Sequence, residues 1–118
     1  MVLALVDDLM FRSKIKSSAA RLGVTVTFAG SRDAALASMR AEPPALVILD
    51  LNNPRTDPIG TVAAMKHDAT LSSIRTIGFV SHVDAETIDA ARAAGIDEVL
   101  ARSAFTTALP DLLSDRRS

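Results

Sequence analysis

The chain has 118 residues, 48% of them apolar, and 13 Lys and Arg against 14 Asp and Glu leave a formal net charge of -1. That size fits one compact domain. The balance excludes a disordered chain and gives no basic stripe for nucleic acid or an anionic membrane. The absence of cysteine rules out disulfides, thiolate metal sites and thiol nucleophiles, and four Phe with no Trp or Tyr leave little for stacking bases or sugars.

The first apolar run, Val2 to Val6, reads as a strand and ends in Asp7-Asp8. It is too short for a signal segment or a membrane span, so a cytoplasmic location is expected. Phe11, Ile15, Ala19 and Leu22 then recur at helical spacing and predict one apolar face packed on a sheet, with Arg12, Lys14, Lys16 and Arg21 on a solvated face. Gly23 stands where a helix C-terminal cap belongs, and Val24 to Phe28 reads as the second strand. Ser31 suits the N-cap of a second helix burying Ala35, Leu36 and Met39, which Pro43-Pro44 ends.

Ala45 to Leu49 is unbroken apolar, as a central strand covered on both faces should be, and Asp50 follows it. The segment from Asn52 to Pro58 is rich in turn residues, with Asp57 suited to a turn or to capping the third helix, which runs through Val62 and Met65. The fourth strand spans Arg75 to Val80 and is followed by Ser81; His82 fits a rim position. A fourth helix from about Asp84 to Ala94 ends at Gly95. The fifth strand, Glu98 to Ala101, leads to Arg102, and a short last helix is expected around Pro110 to Asp115, with Pro110 in its first turn.

Strands alternating with helices predict a flavodoxin-like doubly wound α/β fold, five parallel strands in the order 2-1-3-4-5. Ligands of such folds bind beyond the carboxyl ends of the strands, at the switch point between the first and third. Asp7, Asp8, Asp50, Ser81 and Arg102 all open at that edge. Asp7 and Asp8 also suit a helix N-cap and a first-turn acid, and one geometry serves both roles. Three carboxylates sharing a crevice need a cation or a proton. An all-oxygen donor set suits Mg²⁺.

On these pieces the chain resembles a response regulator receiver domain over essentially its whole length: Val6-Asp7-Asp8, Leu49-Asp50-Leu51-Asn52 with Pro54, Ser81, and Ala93-Ala94-Gly95-Ile96-Asp97-Glu98. The resemblance implies that Asp50 accepts a phosphoryl group. It implies that Asp8 and Asp50 hold Mg²⁺ directly with the backbone carbonyl of Asn52, while Asp7 acts through a bound water. Ser81 and Arg102 would each meet a phosphoryl oxygen. The implied partners are a histidine kinase or phosphotransfer protein and a target protein, with no nucleic acid and no membrane. The chain would be a monomer or a weak homodimer through the face of helix four, strand five and helix five. It would not be an enzyme beyond its own phosphorylation and dephosphorylation.

The chain departs from the family pattern in four ways. Arg102-Ser103 stands where the family usually has lysine followed by proline, Val99 where an aromatic residue often reports activation, and Arg55 and Pro58 where glycine is frequent. Residues 1–118 are expected to form a single receiver-like domain with no effector domain, and output is then expected by docking. These departures sustain a second reading, a pseudo-receiver working as a phosphorylation-independent interaction module. A third, a small flavodoxin-like enzyme or cofactor binder, is opposed by the lack of a Gly-rich phosphate loop, a His/Cys metal set and a nucleophile elbow.

Overall fold

Each apolar run becomes a parallel strand because a helix follows it and carries the chain back to where the next strand begins. The structure, a computed structural model, describes residues 1–81 and 84–114. Its strands are β1 (Val2–Leu5), β2 (Val26–Phe28), β3 (Leu46–Asp50), β4 (Arg75–Val80) and β5 (Glu98–Ala101), all parallel, in the order β2-β1-β3-β4-β5. The helices are α1 (Leu9–Leu22), α2 (Arg32–Ala41), α3 (Pro58–Lys66), α4 (Ala85–Ala94) and α5 (Arg102–Ser114), with a short 3-10 turn at Pro54–Thr56. This is the flavodoxin-like topology that the sequence predicts.

Strand alternation divides the core into two layers. Val2, Ala4, Val6, Leu46, Ile48, Ile77 and Phe79 pack with Phe11, Ile15 and Ala19 of α1 and with Phe105, Leu109 and Leu113 of α5. Leu3, Leu5, Val47, Leu49 and Val80 face the other way, against Leu36 and Met39 of α2, Val62 and Met65 of α3, and Ala91 of α4. The central strands are therefore apolar on both faces, which explains their unbroken runs.

The caps form where the sequence places them. Asp8 accepts from the Phe11 amide at 3.0 Å and Ser31 from the Ala34 amide at 3.1 Å. Gly23 closes α1 in the left-handed region, at φ 70°. Asp57 caps α3 through the Gly60 amide at 3.2 Å, from a left-handed backbone at φ 45°. The Asp97 segment, part of the resemblance, ties β4 to the start of β5. Asp97 Oδ2 accepts from the Thr76 amide at 2.8 Å, while the Asp97 amide donates to Thr76 Oγ1 at 2.9 Å.

Four expectations need correction. Leu22 is 41% exposed, and Ser18 is buried in its stead. A 14-residue helix is about 21 Å long, whereas the four residues of β1 span about 13 Å, so the last turn of α1 overhangs the strand beneath it. The last helix is not short: α5 starts directly after β5, and Pro110 lies in its interior. Phe105, Leu109 and Leu113 supply the buried stripe on both sides of the proline, which itself faces solvent. Asp50 is the last residue of β3, not the first beyond it, and β2 is shorter than expected. His82, Asp115 and the Arg116-Arg117-Ser118 end lie outside the described residues. Among the described residues, no helix is long and apolar enough to cross a membrane.

Candidate functional site

Strand register assembles the site. Leu5 pairs with Leu49, so Val6 is level with Asp50, and Asp7 and Asp8 lie just beyond it on the neighbouring chain segment. Asp50 pairs with Phe79, and Val80 with Ala101, which brings Ser81 level with Arg102. All five predicted edge residues meet at the carboxyl end of the sheet. Alternation from Ile48 puts the Asp50 side chain on the layer of α1 and α5.

Each side chain there has a definite partner. Asp50 Oδ1 accepts from the Asn52 amide at 3.0 Å, and Asn52 Oδ1 accepts from the Ser81 amide at 2.6 Å. The Asn52 side chain thus ties the loop after β3 to the end of β4. From sequence, only its backbone carbonyl was expected to contribute. Asp8 turns one oxygen to the Phe11 amide and the other to Arg102, whose Nη2 is 3.5 Å from Oδ2. Arg102 Nη1 donates to Ser81 Oγ at 3.4 Å. Asp7 Oδ2 lies 3.1 Å from Arg55 Nη2.

The charges are therefore distributed unevenly. Two guanidiniums face Asp7 and Asp8, whereas Asp50 forms no ion pair among the described residues. Burial holds the Asp50 carboxyl above the usual carboxylate range; the Asn52 amide and Arg102 oppose that rise, and the negative charges of Asp8 and Asp7 add to it. Asp8 is held below the usual range, first by the Phe11 amide and further by Arg102.

Three of the four phenylalanines make an aromatic cluster next to these groups. Phe11 lies 4.6 Å from Phe79 and 5.6 Å from Phe105, and Phe79 and Phe105 stack at 4.8 Å. The Arg102 guanidinium carbon sits 4.5 Å from the Phe11 ring centroid, a cation–π contact. Sequence reasoning missed this cluster. Its signal was position: Phe11 follows Asp8 by three residues, Phe79 precedes Ser81 by two, and Phe105 follows Arg102 by three.

The donor chemistry fits a hard divalent cation: carboxylate oxygens of Asp8 and Asp50, the nearby Asp7, and the Asn52 carbonyl. The arrangement differs from a ready cage. Among the described residues, no three acidic or imidazole side chains converge as a metal-holding group, because Asp7 and Asp8 are each turned to a guanidinium.

With this geometry in view, comparison with known proteins places the fold. No protein-family model and no curated protein matches the chain. Solved structures match well. The phosphorylated cyanobacterial phytochrome response regulator RcpA is 21% identical, with 95% of this chain and 86% of that chain covered and a TM-score of 0.80. The chemotaxis response regulator CheY4 of Vibrio cholerae is 20% identical, covering 95% and 93%, at a TM-score of 0.81. The Mn²⁺-bound form of the response regulator Rcp1 is 15% identical, covering 98% and 96%, at 0.79. The chain has the fold of response regulator receiver domains.

Proposed function

We propose that this chain is a receiver that accepts a phosphoryl group on Asp50 in a Mg²⁺-dependent reaction and signals by docking to a target protein. One observation carries the reading: at the switch point, the carboxylate without an ion pair among the described residues is the one ending the central strand, with a hydroxyl and a cation across the edge from it. An Asp50 oxygen would attack the phosphorus of the donor, forming an acyl phosphate as the bond from phosphorus to the leaving group breaks and that group keeps the electron pair. Asp8, Asp50 and the Asn52 carbonyl would hold the ion, with Asp7 beside it. The ion supplies charge neutralisation for an approaching dianion. Ser81 Oγ and Arg102 are available to hydrogen-bond the phosphoryl oxygens once transferred.

The Mn²⁺-bound and phosphorylated neighbours support this chemistry by analogy of fold. A histidine kinase or phosphotransfer protein is the matching donor, and the cytoplasm the matching compartment. We assign no enzymatic role beyond turnover of the Asp50 phosphoryl group. The test is incubation with a small acyl phosphate and Mg²⁺, read as intact mass. A gain of one phosphoryl group in the native chain and none in Asp50→Asn is expected. No gain in either refutes the proposal. That outcome favours the pseudo-receiver, whose own support is the pairing of Asp7 and Asp8 with guanidiniums.

A further inference from the structure

The acidic edge already contains cations, and they are not held alike. The Arg55 side chain is 79% exposed and, among the described residues, pairs with Asp7, whereas that of Arg102 is 43% exposed and held from three sides: Asp8, Ser81 and the ring of Phe11. Arg102 is the first residue of α5, directly after β5, and its carbonyl accepts from the Thr106 hydroxyl at 3.0 Å within the helix. Asp8 has Oδ1 engaged by the Phe11 amide, so Oδ2 is the oxygen not committed to the backbone, and Oδ2 is the one facing Arg102.

We infer that Arg102 is a built-in competitor of the divalent cation: it occupies the ligating oxygen of Asp8, so that metal binding requires the guanidinium to leave Asp8, and Arg102 thereby sets the metal affinity of the site. This inference rests on the receiver reading of the same residues. The planar fork matters here. Two separate nitrogens reach Asp8 and Ser81 at once, a span that a single ammonium nitrogen does not cover in the same way. The side chain, and not the helix, is the part proposed to move: the guanidinium leaves Asp8 by swinging off the ring of Phe11.

The experiment is calorimetric titration of the full chain with Mg²⁺, repeated with Mn²⁺, for the native protein, Arg102→Ala, Arg102→Gln, Arg55→Ala and Asp50→Asn. Removing a half-exposed competing charge is expected to tighten binding by roughly three- to tenfold in Arg102→Ala and in the planar, neutral Arg102→Gln. Arg55→Ala is expected to tighten it by less than about twofold, because that pair is solvated. Asp50→Asn is expected to abolish binding. The second readout is the Arg102 Nε–H resonance of the native chain, expected to shift on saturation with Mg²⁺ as the side chain leaves the ring of Phe11.

Two failures are distinguishable. Native-like affinity in both Arg102 variants, with binding still lost in Asp50→Asn, overturns the role of Arg102 and leaves the receiver reading intact. An Arg102 resonance that stays fixed while the metal saturates does the same. No binding in any variant overturns both. Should Arg102→Ala fail to fold, Arg102→Gln and the resonance of the native chain carry the test.

Discussion

Replacing Asp50 by asparagine keeps the shape of the side chain and its acceptor for the Asn52 amide but removes the one carboxylate of the edge that has no guanidinium against it. Neighbouring strands lie about 4.8 Å apart. Like charges at about 5 Å repel by about 0.8 kcal/mol in water and about 3 kcal/mol at an effective dielectric near 20. Burial is the first cause that disfavours the Asp50 charge, repulsion adds to it and the Asn52 amide and Arg102 offset both, so the lower part of that range sets the scale, and Asp50→Asn should stabilise the metal-free fold by about 1 kcal/mol near neutral pH. With an unfolding entropy of about 2.1 cal/mol/K per residue, that is about 4 °C in Tm for a chain of this length.

The sign with pH follows from the raised proton affinity of Asp50. The unfolded carboxyl ionises near its ordinary value of 3.8, before the folded one does, so the native protein loses stability as pH rises from there through the higher folded value. Asp50→Asn removes that loss. Its advantage should therefore be full near pH 7 and vanish as the pH falls toward 3.8. Urea unfolding of both proteins across this range, in chelator, is the assay. Saturating Mg²⁺ should then shrink or reverse the gap, because only the native chain gains from ligand binding. A variant no more stable than the native chain near pH 7, or an advantage that does not change with pH, refutes the electrostatic account.

Two further substitutions probe how the scaffold supports the edge. A Cβ at Gly78 would stand 2.7 Å from Ile96 Cδ1 and from Leu51 Cδ1, both in buried side chains, so Gly78→Ala should cost about 1–3 kcal/mol in urea unfolding, and an unchanged midpoint would refute the packing argument. Pro110 interrupts the hydrogen-bond ladder of α5 on its solvent side, so Pro110→Ala should raise Tm by several degrees, about 1 kcal/mol or more after allowing for the freer unfolded chain; a lower Tm would show that the ring is required where it stands.

Local chemistry decided which elements were legible in the sequence. β4 and β5 were predicted to the residue because turn formers or charges bound both runs. Ser31, Asp84, Gly23 and Gly95 marked helix ends because each satisfies, through a side-chain oxygen or a positive φ, backbone groups that a helix leaves without partners. The start of α5 was missed because proline normally opens or stops a helix, and that rule outweighed the four-residue spacing of Phe105, Leu109 and Leu113. Leu22 was misplaced because periodicity says which face a residue occupies, not whether anything lies beneath that face. It is a tertiary fact.

The site divides along the same line. That Asp7, Asp8, Asp50, Ser81 and Arg102 share one edge follows from strand ends alone, since parallel strands in register bring their carboxyl ends together. Which acid is paired does not follow, because it depends on how far a long, flexible arm reaches across strands: Arg55 lies 48 residues from Asp7, and Arg102 lies 94 from Asp8. The pairing then distinguishes three chemically identical carboxylates. Asp7 and Asp8 carry their compensation beside them, whereas Asp50 has an amide, a hydrophobic layer and two like charges. On the proposed function, the acid that attacks phosphorus is the one without an ion pair among the described residues, and its raised proton affinity accords with a nucleophilic role. On that reading, Arg55 and Arg102 have one consequence in common. By pairing with the other two acids, they leave Asp50 as the reactive one.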